Sequence, residues 1–148
     1  MKTTIAKVVA SFFVAVLFAI SLVGCSGSNG KLTNNQAHDA VWEFVSTNRG
    51  ADEVTIIGIR EIPQDNTARV DFQAKNWVIY GDPSDFRGAV MIQRETNWAK
   101  PGWGIFQWSG QATGIFEKHT DNTWKLTGIE MGSGFSRHHW DNLQIAVK

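Results

Sequence analysis

The chain has 148 residues with 14 basic and 14 acidic side chains, so it carries no formal net charge at neutral pH. That balance lacks the basic footprint of a nucleic-acid partner or of a polybasic membrane patch. The single cysteine excludes an internal disulfide framework and a cysteine-rich metal centre.

The first stretch reads as a targeting segment. Lys2 and Lys7 form a positive start, and no acidic residue precedes Asp39. From Val8 to Val23 the residues are apolar except Ser11 and Ser21. This run is marginal for a membrane span, ends in small residues, and is followed by the polar stretch Ser26-Gly27-Ser28-Asn29-Gly30. It closes on Leu22-Val23-Gly24-Cys25, which resembles the lipobox of bacterial lipoproteins.

The resemblance implies that residues 1–24 are a cleaved signal peptide. It also implies that the Cys25 thiol takes a diacylglyceryl group and that the new amino terminus is acylated. No other cofactor is expected. Residues 25–32 would then be a tether and 33–148 a single domain, large enough to bury a core without a disulfide. Two or three acyl chains, at about 0.8 kcal/mol per buried methylene, hold a protein firmly to a bilayer. By similarity to the sorting rule of Gram-negative lipoproteins, Ser26 in place of an aspartate implies the periplasmic face of the outer membrane. In a Gram-positive cell the same anchor would sit on the outer face of the plasma membrane.

Leu32 to Gly50 predicts the one clear helix. Thr33 and Gln36 have capping-box spacing, with Leu32 before them as a staple residue. Ala37, Ala40, Val41, Phe44 and Val45 form one apolar stripe, Trp42 flanks it, and Gly50 is a natural terminator.

The rest predicts sheet. Val54 to Ile62 is rich in β-branched residues and ends at the turn Pro63-Gln64-Asp65-Asn66. From Thr67, the positions Ala68, Val70, Phe72 and Ala74 alternate with Arg69, Asp71, Gln73 and Lys75, as in a sheet covered on one side. Trp77 to Tyr80 continues that strand through a bulge at Asn76, where the parity changes. Gly81 to Asp85 is a loop, and Ala89 to Arg94 a third strand. Asn97 to Gly104 is a loop rich in Trp and Gly. A fourth strand falls between Ile105 and His119, with Gly110 and Gly114 marking a bend. Trp124 to Met131 is a fifth, and Leu143, Ile145 and Val147 suit a short final one.

The expected fold is α+β, one N-terminal helix packed on a curved antiparallel sheet of about five strands. This order resembles the cystatin-like and NTF2-like superfamily, and Gly114-Ile115-Phe116 with Asn122 to Ile129 looks like the closing hairpin of many bacterial members. A single helix implies the cystatin-like arrangement, with the NTF2-like cone as runner-up.

Several chemistries are weak here. Protease-inhibiting cystatins use a Gln-x-Val-x-Gly wedge, whereas Gln111-Ala112-Thr113-Gly114 lacks the valine and has the wrong glycine spacing. His138 and His139, with Asp141 and His119, match no metal-ligand spacing, and neighbours on a strand face opposite ways. They read as a solvent-facing pair, and no metal site is expected. No Gly-x-Ser-x-Gly occurs. Asp82, Asp85 and Glu95 near Tyr80 could line an NTF2-like cleft and transfer protons.

The most suggestive group is Trp98, Trp103 and Trp108, with Asn97, Lys100 and Gln107. Indole rings on a loop suit stacking on a sugar or anchoring a protein. The same rings could instead fold over a sheet edge or enter the core. The preferred expectation is a non-enzymatic, membrane-anchored envelope lipoprotein whose Trp98–Trp108 segment contacts an envelope protein or a glycan. The alternative is an NTF2-like small-molecule binder or enzyme with a cleft between helix and sheet.

Overall fold

A computed structural model describes residues 30–132 and 138–148. The expected signal, the Leu22–Cys25 motif with the expected lipidation site Cys25, and Ser26 lie outside the described residues. The element order is α1 (Asn34–Thr47), β1 (Glu53–Ile62), β2 (Thr67–Gly81), β3 (Val90–Arg94), β4 (Gly104–Lys118), β5 (Trp124–Met131), β6 (His138–Trp140) and β7 (Ile145–Ala146).

The helix starts where its capping box directs. The Thr33 hydroxyl accepts the Gln36 N–H, and the Gln36 side-chain oxygen accepts the Thr33 N–H at 3.2 Å. The predicted stripe is the buried face: Ala37, Ala40, Val41, Phe44 and Val45. At the far end the Gly50 N–H donates to the Val45 carbonyl, a Schellman closure. The left-handed residues there are Arg49 (φ 70°) as well as Gly50 (φ 82°).

All strands pair antiparallel in one open sheet, with main order β1-β2-β4-β5-β6. The inner edge of β4 pairs with β2 along its length. Its other edge is shared, β3 taking Gly104 to Gln107 and β5 taking Ala112 to Lys118. The sheet therefore has seven strands among the described residues, not about five. The unexpected piece is the short β6, which together with β7, at the expected short final strand, fills the remaining edge of β5. The expected bulge at Asn76 is present, with φ 52° and the register slipping between Ala74 and Trp77. Its N–H is taken by the Ser109 hydroxyl and its amide by Asp52, so the bulge leaves neither unpaired.

Helix length decides how the core is built. Fourteen residues of helix reach about 21 Å, while β2 and β4, at 15 residues each, run to about 45 Å. The helix covers only one half of that face, with Val41 over Gly114. Aromatic side chains from β6 and the β2–β3 connection cover the other half. Phe86 packs on Phe106 and Trp108, and Trp140 packs on Trp77 and Phe44. Among the described residues every buried side chain is apolar.

Candidate functional site

Tryptophans 98, 103 and 108 do not form one cluster. Trp108 lies on β4 at a position facing the core, with 5% of its surface exposed, and packs edge-on against Trp77. The even-numbered residues Phe106, Trp108, Ala112 and Phe116 all face inward. Trp108 is therefore a core residue and is removed from the contact surface. Gly110 is what admits it, since a Cβ there would stand 2.4 Å from the Trp108 ring.

Trp98 lies at the opposite extreme, 90% exposed. The loop that carries it is held by its own hydrogen bonds. One Glu95 oxygen accepts the N–H groups of Thr96 and Asn97 at 2.9 and 3.1 Å. The Asn97 side chain accepts the Ala99 N–H at 3.0 Å. The Trp103 carbonyl takes the Glu95 N–H at 2.7 Å, which closes the base of the loop. A large apolar ring fixed in water on an ordered loop is the pattern of a contact residue.

Trp103 sits at the loop base, half-buried, with its ring 5.7 Å from that of Tyr80. The Lys100 ammonium lies 4.6 Å from the Trp103 ring and 5.6 Å from the Tyr80 ring. The Tyr80 hydroxyl donates to the second Glu95 oxygen at 2.9 Å. That bond, then the Asn97 and Thr96 N–H groups and the Lys100 charge, hold the Glu95 carboxyl below the ordinary glutamate range. The same bond pushes the Tyr80 phenol up.

Tyr80 also borders two shallow hollows of about 200 Å³ each, which share Tyr80 and Arg49. One continues over Ile79, Trp77 and Trp140, and the other over Gln93, Arg94 and Ile105. They meet at Tyr80 because β1 pairs with β2 only as far as Lys75. The Gly50 carbonyl takes the Val78 N–H, and among the described residues no strand pairs the outer edge of β2 beyond it. Arg49 stands at that open edge. Gly104 lets β3 lie close on the other side, because a Cβ there would come within 2.2 Å of the Gln93 carbonyl oxygen.

The proposed acid–base group separates. Glu95 and Tyr80 join, but Asp82 caps the Ser84 N–H at 3.0 Å, and Asp85 lies 4.0 Å from His138. These groups do not line the space between helix and sheet, which is apolar. His138 and His139 face opposite ways as expected, yet His138 is not a solvent-facing residue. Its ring packs 4.5 Å from Trp140 and 5.2 Å from Phe86, and burial there lowers its pKa. No group of three potential metal ligands occurs among the described residues.

Arg49, Arg94 and Trp140 were not among the sequence candidates. Arg49 carried one usable clue, a long cation placed just before the terminating Gly50. No family model, curated protein or solved structure matches the chain.

Proposed function

We propose that this is a lipid-anchored, non-enzymatic domain of the bacterial cell envelope. Its Trp98-bearing loop, with Trp103 and Tyr80 at the base, contacts an envelope protein or a glycan. The observation that carries the reading is the exposure of Trp98 on a loop whose backbone is tied down at Glu95 and Asn97.

The direction of attachment supports it. Gly30, within the proposed tether, is bonded at the β4–β5 end of the sheet, where its carbonyl accepts the Trp124 indole N–H at 3.0 Å. The Trp98 loop lies beyond Gly104, at the other end of β4, about 45 Å away along the strand. An anchor at Cys25 would thus join the domain at the end of the sheet opposite the loop. The helix laid over an antiparallel sheet is compatible with the cystatin-like arrangement, and one α-helix among the described residues favours it over an NTF2-like cone. An outer-membrane position, periplasmic side, follows the Ser26 rule.

The test is a crosslinking pulldown from intact envelopes with wild type and Trp98→Ala, beside Cys25→Ala to release the anchor. Loss of specific partners with Trp98→Ala, and movement of Cys25→Ala to the soluble fraction, are expected. An unchanged crosslink profile for Trp98→Ala rejects the contact surface, and a membrane-bound Cys25→Ala rejects the anchor.

A further inference from the structure

We propose that the cleft shared by Arg49, Tyr80 and Arg94 binds a carboxylated sugar of an envelope glycan. The proposal rests on the reading of this end of the domain as its contact surface and names the ligand chemistry that surface would take.

Charge is the first argument. Arg49, Arg94 and Lys100 gather around Tyr80, and among the described residues none of the three is ion-paired. Glu95 is the one acid lining the cleft beside them, and both its oxygens are already occupied, by Tyr80 and by two backbone N–H groups. Three cations against one carboxylate leave this cleft net positive in a chain that carries no net charge. Two guanidiniums suit a carboxylate better than an ammonium would, because each can offer a planar pair of donors.

Shape is the second. Each hollow is smaller than the about 300–1,000 Å³ of a drug-sized pocket, which suits one ring or one substituent in each. Tyr80 borders both hollows and Trp140 one of them, which gives each aromatic surface for the C–H face of such a ring. Gln93, Thr96 and Asn48 on the rims provide groups for hydroxyls. A purely apolar partner would leave these cations desolvated and unpaired.

Backbone conformation is the third. Arg49 occupies a left-handed position where glycine is usual, with φ 70°. An arginine held there against its own preference places the guanidinium at the open edge of β2, bordering both hollows.

The test uses the full chain in detergent micelles and titrates matched sugars, followed by tryptophan fluorescence and calorimetry. The acidic probes are trigalacturonate and an N-acetylmuramic-acid-containing disaccharide. Their neutral partners are methyl-esterified trigalacturonate and the disaccharide of N-acetylglucosamine. At least one acidic probe is expected to bind saturably and at least tenfold tighter than its neutral partner. Arg49→Gln and Arg94→Gln are each expected to weaken it fivefold or more without moving the unfolding midpoint. No binding by either acidic probe, equal binding of the neutral forms, or binding indifferent to both arginine variants overturns the proposal. If the sugars fail while Trp98→Ala still abolishes crosslinks in envelopes, the ligand chemistry falls and the contact surface stands. Sugar binding with an unchanged crosslink profile gives the reverse.

Discussion

The Trp124 indole N–H donates to the Gly30 carbonyl at 3.0 Å, joining the start of β5 to the segment that precedes the helix. The bond is flanked by Lys118, whose ammonium lies 5.7 Å from the Trp124 ring. Trp124→Phe keeps an aromatic ring in the core and removes the donor. It is expected to cost about 1–2 kcal/mol, part lost hydrogen bond and part lost packing. Urea denaturation measures that cost, and amide exchange at Lys31 and Leu32 should quicken. Unchanged exchange there would show that the capping box and Leu32 alone hold the entry.

Trp98 and Trp108 make opposite predictions from the same substitution. Trp98→Ala should shift stability by no more than about 0.5 kcal/mol, as expected at a surface site. Trp108→Ala empties a place between Trp77 and Phe86 and should cost about 3–5 kcal/mol. Paired denaturation curves decide it; similar losses would mean that the loop is packed rather than presented.

These two residues also show where sequence reasoning stops. The helix was legible because its stripe, its cap and its stop are all local. The Asn76 bulge was legible because the alternation of β2 changes parity on either side of it. β6 was not, because His138-His139-Trp140 has no period of its own and becomes a strand only by pairing with Met131, Glu130 and Ile129. Trp108 obeys a clean alternation with Phe106, but neighbouring tryptophans in the sequence masked it. The cleft was hidden for a stronger reason. Arg49 lies in the turn after α1, Tyr80 in β2 and Arg94 in β3. Both the β2–β4–β3 register and the Val78 N–H bond to the Gly50 carbonyl, which bring them together, are non-local.

The closeness of β3 to Gly104 predicts a local lesion. Gly104→Ala would put a methyl group 2.2 Å from the Gln93 carbonyl oxygen and 2.7 Å from the Met91 sulfur. The strand must move, at a cost of about 1–3 kcal/mol. Amide exchange should rise across Val90 to Arg94 while Ala37 to Val45 stay protected. A uniform change across both segments would contradict a disturbance confined to this edge.

Arg49 predicts a trade of stability against binding. Arg49→Gly relieves a left-handed conformation that costs a side-chain-bearing residue about 1–2 kcal/mol. Part of that gain is cancelled by the greater backbone freedom of glycine in the unfolded chain. A net rise of about 0.5–1 kcal/mol in unfolding free energy is expected, together with weaker binding of the acidic sugars. A variant that is both less stable and fully competent to bind would assign Arg49 a packing role instead.

His138 predicts how stability responds to acid. Its ring lies between Trp140 and Phe86, and burial lowers its pKa. Nearby Asp85, at 4.0 Å, opposes that shift, while the charge of His139 adds to it. A histidine with a depressed folded pKa binds its proton more weakly in the folded state than in the unfolded state. The unfolded chain then takes up the proton first as the pH falls. Stability is therefore fully present above the ordinary histidine range and declines as pH drops through it toward the lower folded value. Below both values the loss is complete and no longer changes. His138→Phe should flatten this slope while keeping the aromatic packing, and Asp85→Asn should steepen it by removing the carboxylate that favours the proton. Urea midpoints across that range, with the His138 ring titrated by NMR, check both. A slope unchanged in His138→Phe would place the acid sensitivity in another group.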